Sequence, residues 1–494
     1  MPATISLPPP PVYFIKSISE QGYTLSTAIS DLIDNSIAAG SSRVEVLLDS
    51  SMSSLRLFIA DNGAGMNDKE LTHNMRFPSA DLDESRRNND LGRFGLGLKT
   101  ASFSQCRKFT VLSRIDNSEF EGRTWDVDFL KNTGEWTLIV DTPEVINGLV
   151  DDYTNTSLNF HGTDTNFKVK TLVVWDNLYK LKKLKKRDEI NDELDELRSH
   201  LSLVFHRYLS SGKLQIRLNN SLIEGFEPFP DNIGGVQMVA EQYWQTDNSY
   251  VKFQGIILPK RAAAEVKEAD SPWVPPGRTL EELQGLFVYR NDRIINYGGW
   301  LRTIPKSVYL QFARIRIDIS NATDAEFQLN VAKSSLKIPF GLKRVMAEMV
   351  RKVAVQAAKE YRERVASGII TMADKRPGLS LIVKQGTGNG FKLKINEQFE
   401  LIQKLRQQLT EGQNDLLFAI ITLIEKKLND FWQGETGETE ITESVDPKIL
   451  EKIEKIKQYY EDAGYSAEET REFLQNNFGR EPYLKNFITN LKFN

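Results

Sequence analysis

Residues Ser26–Ser41 read STAISDLIDNSIAAGS. Turned at about 100° per residue, Leu25, Ile29, Leu32, Ile33 and Ala39 fall on one broad apolar face, so the stretch reads as a helix. Thr24 or Ser26 can cap it. Asp31 and Asn35, spaced i and i+4, lie together beside the apolar face. A carboxylate and a carboxamide one turn apart on a half-buried helix, aimed into a cleft, can hold a metal ion and orient a water. Asp34 is a second carboxylate nearby, but it projects about 60° away from Asp31 on the wheel.

Two glycine-rich turns follow: Asp61-Asn62-Gly63-Ala64-Gly65-Met66, and Gly92-Arg93-Phe94-Gly95-Leu96-Gly97-Leu98-Lys99-Thr100. Either motif alone is commonly no more than a turn. The ordered set (acid-x3-Asn on a helix, then D-x-G-x-G, then G-x-x-G-x-G-x-K) is far more specific. In order and spacing it resembles the GHKL ATPases: DNA gyrase B, the large heat-shock chaperone, histidine kinases, MutL and MORC proteins. Among these the chain looks closest to the prokaryotic MORC-like ATP-binding proteins. No G-x4-G-K-[ST] occurs, which excludes a P-loop. The Gly92 turn does not open a first βαβ-like unit, so it does not suit a dinucleotide fingerprint.

The resemblance implies an α+β chain in three parts. They are a GHKL (Bergerat) ATP-binding α/β sandwich over 1–187, a transducer-like α+β domain over 188–345, and a mainly helical region over 346–494. It implies ATP and Mg²⁺ as cofactors. Asn35 would hold the metal, and Asp61 would accept a hydrogen bond from the adenine amino group. Gly63 and Gly65 would let the base approach the backbone, with Met66 as a soft apolar surface for the ring. Gly92, Gly95 and Gly97 would turn backbone N–H groups toward the phosphates at a helix start, together with Arg93, Phe94, Leu96, Leu98, Lys99 and Thr100. The polar segment 67–91 between the two motifs suits a lid. A Gly-Thr element normally closes the pocket. Here His161-Gly162-Thr163 has the dipeptide, whereas Thr171-Leu172-Val173-Val174-Trp175 resembles the strand that follows it, so Thr171 is the residue named.

Composition sets outer bounds. The 494 residues suffice for two or three domains, and 40% apolar with 26% charged content is ordinary for a globular chain. A formal net charge of −4 gives no general attraction to nucleic acid. The single cysteine, Cys106, excludes an intrachain disulfide and a multi-cysteine zinc site, and fits a reducing cytoplasm. No apolar run approaches 18 residues, and the first twelve residues lack a basic start and an apolar core, which speaks against a membrane span or signal peptide.

Local patterns supply the other elements. Pro8 to Pro11 exclude helix from the N-terminal segment. Val44–Leu48 and Leu55–Ile59 read as a hairpin, and Leu98–Gln105 as a helix. Phe109–Ser113, Trp125–Phe129 and Trp136–Val140 read as strands. The basic run 181–187 (LKKLKKR) reads as a solvated helix more readily than as a nucleic-acid patch. Leu201–Tyr208 reads helical, Leu214–Leu218 and Val251–Leu258 as strands, and Leu286–Tyr289 with Ile294–Tyr297 as a hairpin turned at Arg290-Asn291-Asp292. Phe340–Val365 is a long helical pattern. Residues 375–392 form a linker or hairpin, and Phe399, Ile402, Leu405 and Leu409 suit bundle core or a dimer seam.

Segments 216–229 and 285–300 resemble the transducer domain of MORC-like and MutL-like ATPases. Residues 327–333 (FQLNVAK) resemble the loop from which those proteins extend a lysine to the γ-phosphate, which implies Lys333 as sensor, with Lys337 as its competitor. Most ATP-splitting members use Glu as the base on the first helix; this chain has Asp31. A side chain one methylene shorter sets its carboxylate about 1.5 Å back, and such a misplacement costs of order 100-fold in rate. Slow hydrolysis is therefore expected, and it suits what the resemblance implies: ATP closes a homodimeric clamp that hydrolysis releases, with DNA or a DNA-processing partner, in the phage-defence context of prokaryotic MORC-like proteins. The rivals are a non-hydrolysing nucleotide-dependent module and a chaperone-like ATPase.

Overall fold

The computed structural model describes residues 9–493 except 21, 50–54, 78–95, 117, 162–166, 182–186, 220, 231–233, 246–249, 260–272, 320–326, 328–337, 375–379, 388–389, 434–446 and 479–481. The chain divides into two compact units, 1–358 and 359–494.

In the first unit, α1 (Pro11–Ser19) opens the fold. The proline run does not exclude a helix as expected, because Pro11 occupies the first helical position, where the missing N–H would have had no partner. Next comes α2 (Leu25–Ala38), capped reciprocally: Thr27 N–H donates to Thr24 Oγ1 (3.1 Å) and Thr24 N–H to Thr27 Oγ1 (2.9 Å). The hairpin of β1 (Arg43–Asp49) and β2 (Arg56–Asp61) sets Val44 opposite Asp61. Then follow α3 (Asp68–Asn74), α4 (Gly97–Gln105), β3 (Cys106–Ser113) and β4 (Glu121–Asp126).

The expected strand over Trp125–Phe129 is half strand and half helix. Asp126 accepts from the backbone N–H groups of Asp128 and Phe129 and starts α5 (Val127–Thr133), which Gly134 ends in the left-handed conformation. Of Trp136–Val140 only β5 (Ile139–Val140) is strand. The 19-residue α6 (Pro143–His161) has no counterpart in the sequence reading; β6 (Thr171–Leu178) follows it. Two helices, α7 (Arg187–Val204) and α8 (His206–Ser210), lead to β7 (Gln215–Leu218) and β8 (Ser221–Leu222).

The first sheet runs β5-β4-β3-β6-β2-β1-β7-β8, with β7 parallel to β1. Strand alternation divides its side chains between two cores. Val46, Leu57, Ile59, Val111 and Trp175 pack with Ile29 and Ile33 of α2. Leu47, Phe58, Leu112 and Val174 pack with Ile146 and Tyr153 of α6 on the other face.

A second, five-stranded sheet comprises β9 (Gln237–Gln245), β10 (Tyr250–Ile257), β11 (Gly285–Arg290), β12 (Arg293–Tyr297) and β13 (Ala313–Ile319), in the order β12-β11-β13-β10-β9. A short helix, α9 (Leu280–Leu283), precedes β11. The long α10 (Phe340–Asp374) lays Leu342, Met346, Met349 and Val353 against Phe253, Ile315 and Ile317 of this sheet. Helix α7 joins the sheets: Leu197, Leu201 and Val204 belong to the first core, while Leu203 packs with Phe287 and Tyr289.

The second unit holds a hairpin, β14 (Ile382–Thr387) and β15 (Gly390–Ile395), and the helices α11 (Glu400–Gln408), α12 (Glu411–Gln433), α13 (Pro447–Asp462), α14 (Ala467–Phe478) and α15 (Pro482–Asn490). Its core is Ile453, Ile456, Leu474, Phe478, Leu484 and Ile488. Helix α11 contributes no buried residue, so the stripe Phe399, Ile402, Leu405, Leu409 is not the core of this bundle. Along the free edge of β15, Leu393 N–H donates to Asn429 Oδ1 (2.9 Å), and Asn429 Nδ2 donates back to Leu393 O (2.7 Å). Ile395 N–H donates to Glu425 Oε1 (2.8 Å).

Candidate nucleotide site

Asp61 ends β2 with its carboxylate nearly covered, 8% exposed. Gly63 N–H donates to Oδ1 (2.8 Å) and Ser36 Oγ–H to Oδ2 (2.9 Å). Burial nonetheless holds its pKa above the usual carboxylate range, the two hydrogen bonds pulling the other way. Thr171 sits directly across the β2–β6 pairing from Asp61, hence on the same face of the sheet. Its hydroxyl lies 3.0 Å from Ser113 Oγ, which accepts from Met66 N–H (2.9 Å). Thr171, Ser113 and Met66 are thereby linked beside Asp61 in one polar corner; Thr163, the other candidate, lies outside the described residues.

The turn after Asp61 is constrained by backbone. Gly65 has φ +73°, and a Cβ there would lie 1.9 Å from the Arg114 carbonyl oxygen. Asn62 turns away from the site: its Oδ1 accepts from Ser42 N–H (3.0 Å), Arg43 N–H (2.9 Å) and Ser41 Oγ–H (2.8 Å), stitching the turn to the start of β1.

On α2, Asp31 is 4% exposed and Asn35 is exposed. The Tyr23 phenol donates to Asp31 Oδ2 at 2.7 Å; burial first, and the neighbouring Asp31 second, push that phenol's pKa well up, so it stays protonated. Across from Asp31, a Cβ on Gly97 would come 4.0 Å from Oδ2. Gly97, the last glycine of the second motif, and the helix acid are therefore neighbours. Arg293, the first residue of β12, reaches α2 from the second sheet: Nε is 2.7 Å from Asp34 Oδ1 and a terminal nitrogen 3.9 Å from Asp31 Oδ1. Tyr23 and Arg293 were missed in the sequence, where nothing local marks them.

Helix α4 begins at Gly97. Lys99 is 1% exposed, and its ammonium donates to the Asn74 carbonyl (2.8 Å) and lies 5.7 Å from the centre of the Phe77 ring. Burial lowers its pKa to about 7. The Thr100 hydroxyl donates to Leu96 O within the first turn (3.0 Å). Phe77 itself sits among Phe14, Phe103, Trp125 and Trp136, and Trp125 Nε1 donates to Met75 O (3.0 Å). The chain leaving α3 is thus anchored in an aromatic cluster. Gly92, Arg93, Phe94 and Gly95 of the second turn, and Lys333 and Lys337, lie outside the described residues.

Among the described residues no group of three or more His, Cys, Asp or Glu could hold a metal ion. A single carboxamide such as Asn35 suits Mg²⁺, which keeps several waters and is commonly shared with substrate phosphates. No described helix is long and apolar enough to cross a membrane.

Residues 23–163 match the family model of the histidine kinase-, DNA gyrase B- and HSP90-like ATPases. That span contains Asp31, Asn35, both glycine turns and Lys99. No protein of curated function matches the chain significantly.

Proposed function

We propose, from this GHKL-type ATPase domain as premise, that the chain is a Mg²⁺-dependent, slowly hydrolysing ATPase whose nucleotide cycle gates homodimerisation. In this reading it is a MORC-like clamp or switch acting with DNA or a DNA-processing partner, in phage defence. The observation that carries the ATP reading is the pairing of Asp61 with Thr171 and the approach of Asp31 to Gly97, with Asp31, Asp61 and Gly97 inside the matched residues 23–163 and Thr171 just beyond them.

Each residue has a part. Asp61 and Thr171 receive the adenine edge, Gly63 N–H holding the carboxylate in orientation. The Asn35 carboxamide oxygen is the protein's ligand to Mg²⁺, which supplies charge neutralisation on the phosphates when bound. The turn from Gly92 to Thr100 presents N–H groups to the phosphates. Asp31 takes the proton of the attacking water, the Tyr23 hydrogen bond holding its carboxylate in orientation. Lys333, or Lys337 in its place, reports the γ-phosphate. The shorter reach of Asp than Glu makes turnover slow while leaving binding intact.

A non-hydrolysing module is the second reading, favoured by an Asp31 that is both short and already engaged by Tyr23. ATP turnover with Mg²⁺, measured for the wild type beside Asp31→Ala and Asn35→Ala while light scattering follows dimerisation, separates them. Turnover lost in Asp31→Ala with ATP-dependent dimers retained supports the clamp cycle. A wild type that dimerises on ATP without turnover leaves a nucleotide-gated scaffold. Absence of both ATP binding and dimerisation overturns the reading.

A further inference from the structure

We infer that Arg293 is a positioning residue for Asp31, through which the placement of the second sheet sets the rate of ATP hydrolysis; this rests on Asp31 being the base. Arg293 is held by a rigid mount. The β11–β12 hairpin turns through Asn291 (φ 48°) and Asp292 (φ 63°), two left-handed residues in succession, the form whose twist matches the flanking strands. Its tip is fixed to α8: Tyr208 Oη–H donates to Asn291 O (2.8 Å), and Arg207 pairs with Asp292 (3.2 Å) and with Asp318 of β13 (2.6 Å).

From that tip the Arg293 guanidinium enters the space beside α2, with its centre 5.6 Å from the Phe205 ring centre. The side chains of Arg293, Asp31 and Asp34 are only 6%, 4% and 1% exposed. Charges so far from water interact strongly, and their arrangement is expensive to disturb. The contact is with Asp34 at 2.7 Å; the second arm points to Asp31 Oδ1 at 3.9 Å. The two oxygens of Asp31 are therefore addressed by different parts of the molecule. Oδ2 takes the Tyr23 phenol from the segment before α2, and Oδ1 faces a cation delivered by the second sheet. A shift of the β11–β12 hairpin moves that cation relative to α2, and the base with it. For an aspartate with short reach, this orientation governs turnover more than it governs nucleotide binding.

The test measures steady-state ATP turnover, ATP affinity by calorimetry and thermal melting on the full chain, for wild type, Arg293→Met, Arg293→Lys and the double variant Asp34→Asn/Arg293→Met. The double variant removes the charge that Arg293→Met alone would strand on Asp34. Expected is a kcat about tenfold or more below wild type in both Met variants, with ATP affinity within about threefold. Arg293→Lys keeps a charge and the fold, but an ammonium cannot address two carboxylates as a fork does; its kcat falls by about threefold or more at unchanged affinity. A double variant turning over at the wild-type rate shows that Arg293 merely neutralises Asp34 and overturns the inference. Should that variant fail to melt as a folded protein, a wild-type kcat in Arg293→Lys overturns it equally. A wild type without turnover overturns the hydrolytic reading and this inference together, whereas wild-type turnover beside unaffected variants overturns only the latter.

Discussion

The phenol of Tyr23, one residue before the cap of α2, donates a 2.7 Å hydrogen bond to Asp31 two turns further on. A buried carboxylate that loses such a donor keeps its desolvation cost without the compensation. Tyr23→Phe is therefore expected to lower stability by about 1–3 kcal/mol in urea unfolding. Turnover should fall with it, by about tenfold, because the freed Oδ2 lets the carboxylate rotate. Unchanged turnover in a destabilised variant would mean that Tyr23 braces the helix and nothing more.

Asp61 accepts from Gly63 and Ser36 and, in the proposed complex, from the adenine amino group. In Asp61→Asn the Oδ1 acceptor for Gly63 survives, while an amide N–H₂ is turned toward an amino group that is itself a donor. ATP affinity should drop about 10- to 100-fold in calorimetry, the equivalent of one lost charge-assisted hydrogen bond. Equal affinities in the two proteins would remove Asp61 from the base-binding role.

Lys99 carries a pH signature. Its folded-state pKa is lowered by burial to about 7 from an ordinary 10.5. Between those values the unfolded chain holds a proton that the folded chain has released, so stability rises with pH across that window. Below about pH 7 the lysine is charged in both states, and the full cost of burying the ammonium is felt. Urea midpoints for wild type and Lys99→Met at pH 7, 8 and 9 should diverge in favour of wild type as pH rises; parallel midpoints would contradict the assignment. If phosphates approach this lysine, ATP binding near pH 7.5 should also take up protons, read from calorimetry in buffers of different ionisation enthalpy.

Gly65→Ala places a methyl 1.9 Å from the Arg114 carbonyl oxygen at φ +73°. Neither the backbone conformation nor the neighbouring backbone can yield cheaply. A loss of about 2 kcal/mol or more is expected in urea unfolding, together with weakened ATP binding, since the same turn orients Met66.

What the sequence disclosed was local. The cap and start of α2, the β1–β2 hairpin and the start of α4 each follow from spacings within a dozen residues, and the structure keeps them within a residue or two, while α2 ends at Ala38, three residues before Ser41. The Asn291-Asp292 turn was equally legible. Helix α6 was not: its run EVINGLVDDYTNTSLN at 144–159 carries a polar stripe that hides Ile146 and Tyr153, which find their partners on β1, β2, β3 and β6. Arg293 and Asp34 meet across a separation that no periodicity encodes. The motif named Lys99 as a candidate phosphate ligand, but its immersion beside Phe77 depends on an aromatic cluster gathered from α1, α4, β4 and segments between the elements, which no local pattern announces.

Two hydrogen-bonded strands in isolation are marginal in water, and β14–β15 has only two. The carboxamide of Asn429 presents one acceptor and one donor to Leu393, as a neighbouring peptide unit would, and Glu425 takes the next outward amide. In hydrogen–deuterium exchange, the amides of Leu393 and Ile395 should consequently exchange late and in step with α12, as one cooperative opening rather than as a fraying margin. Asn429→Ala should release the Leu393 amide to early exchange while the α12 amides remain slow.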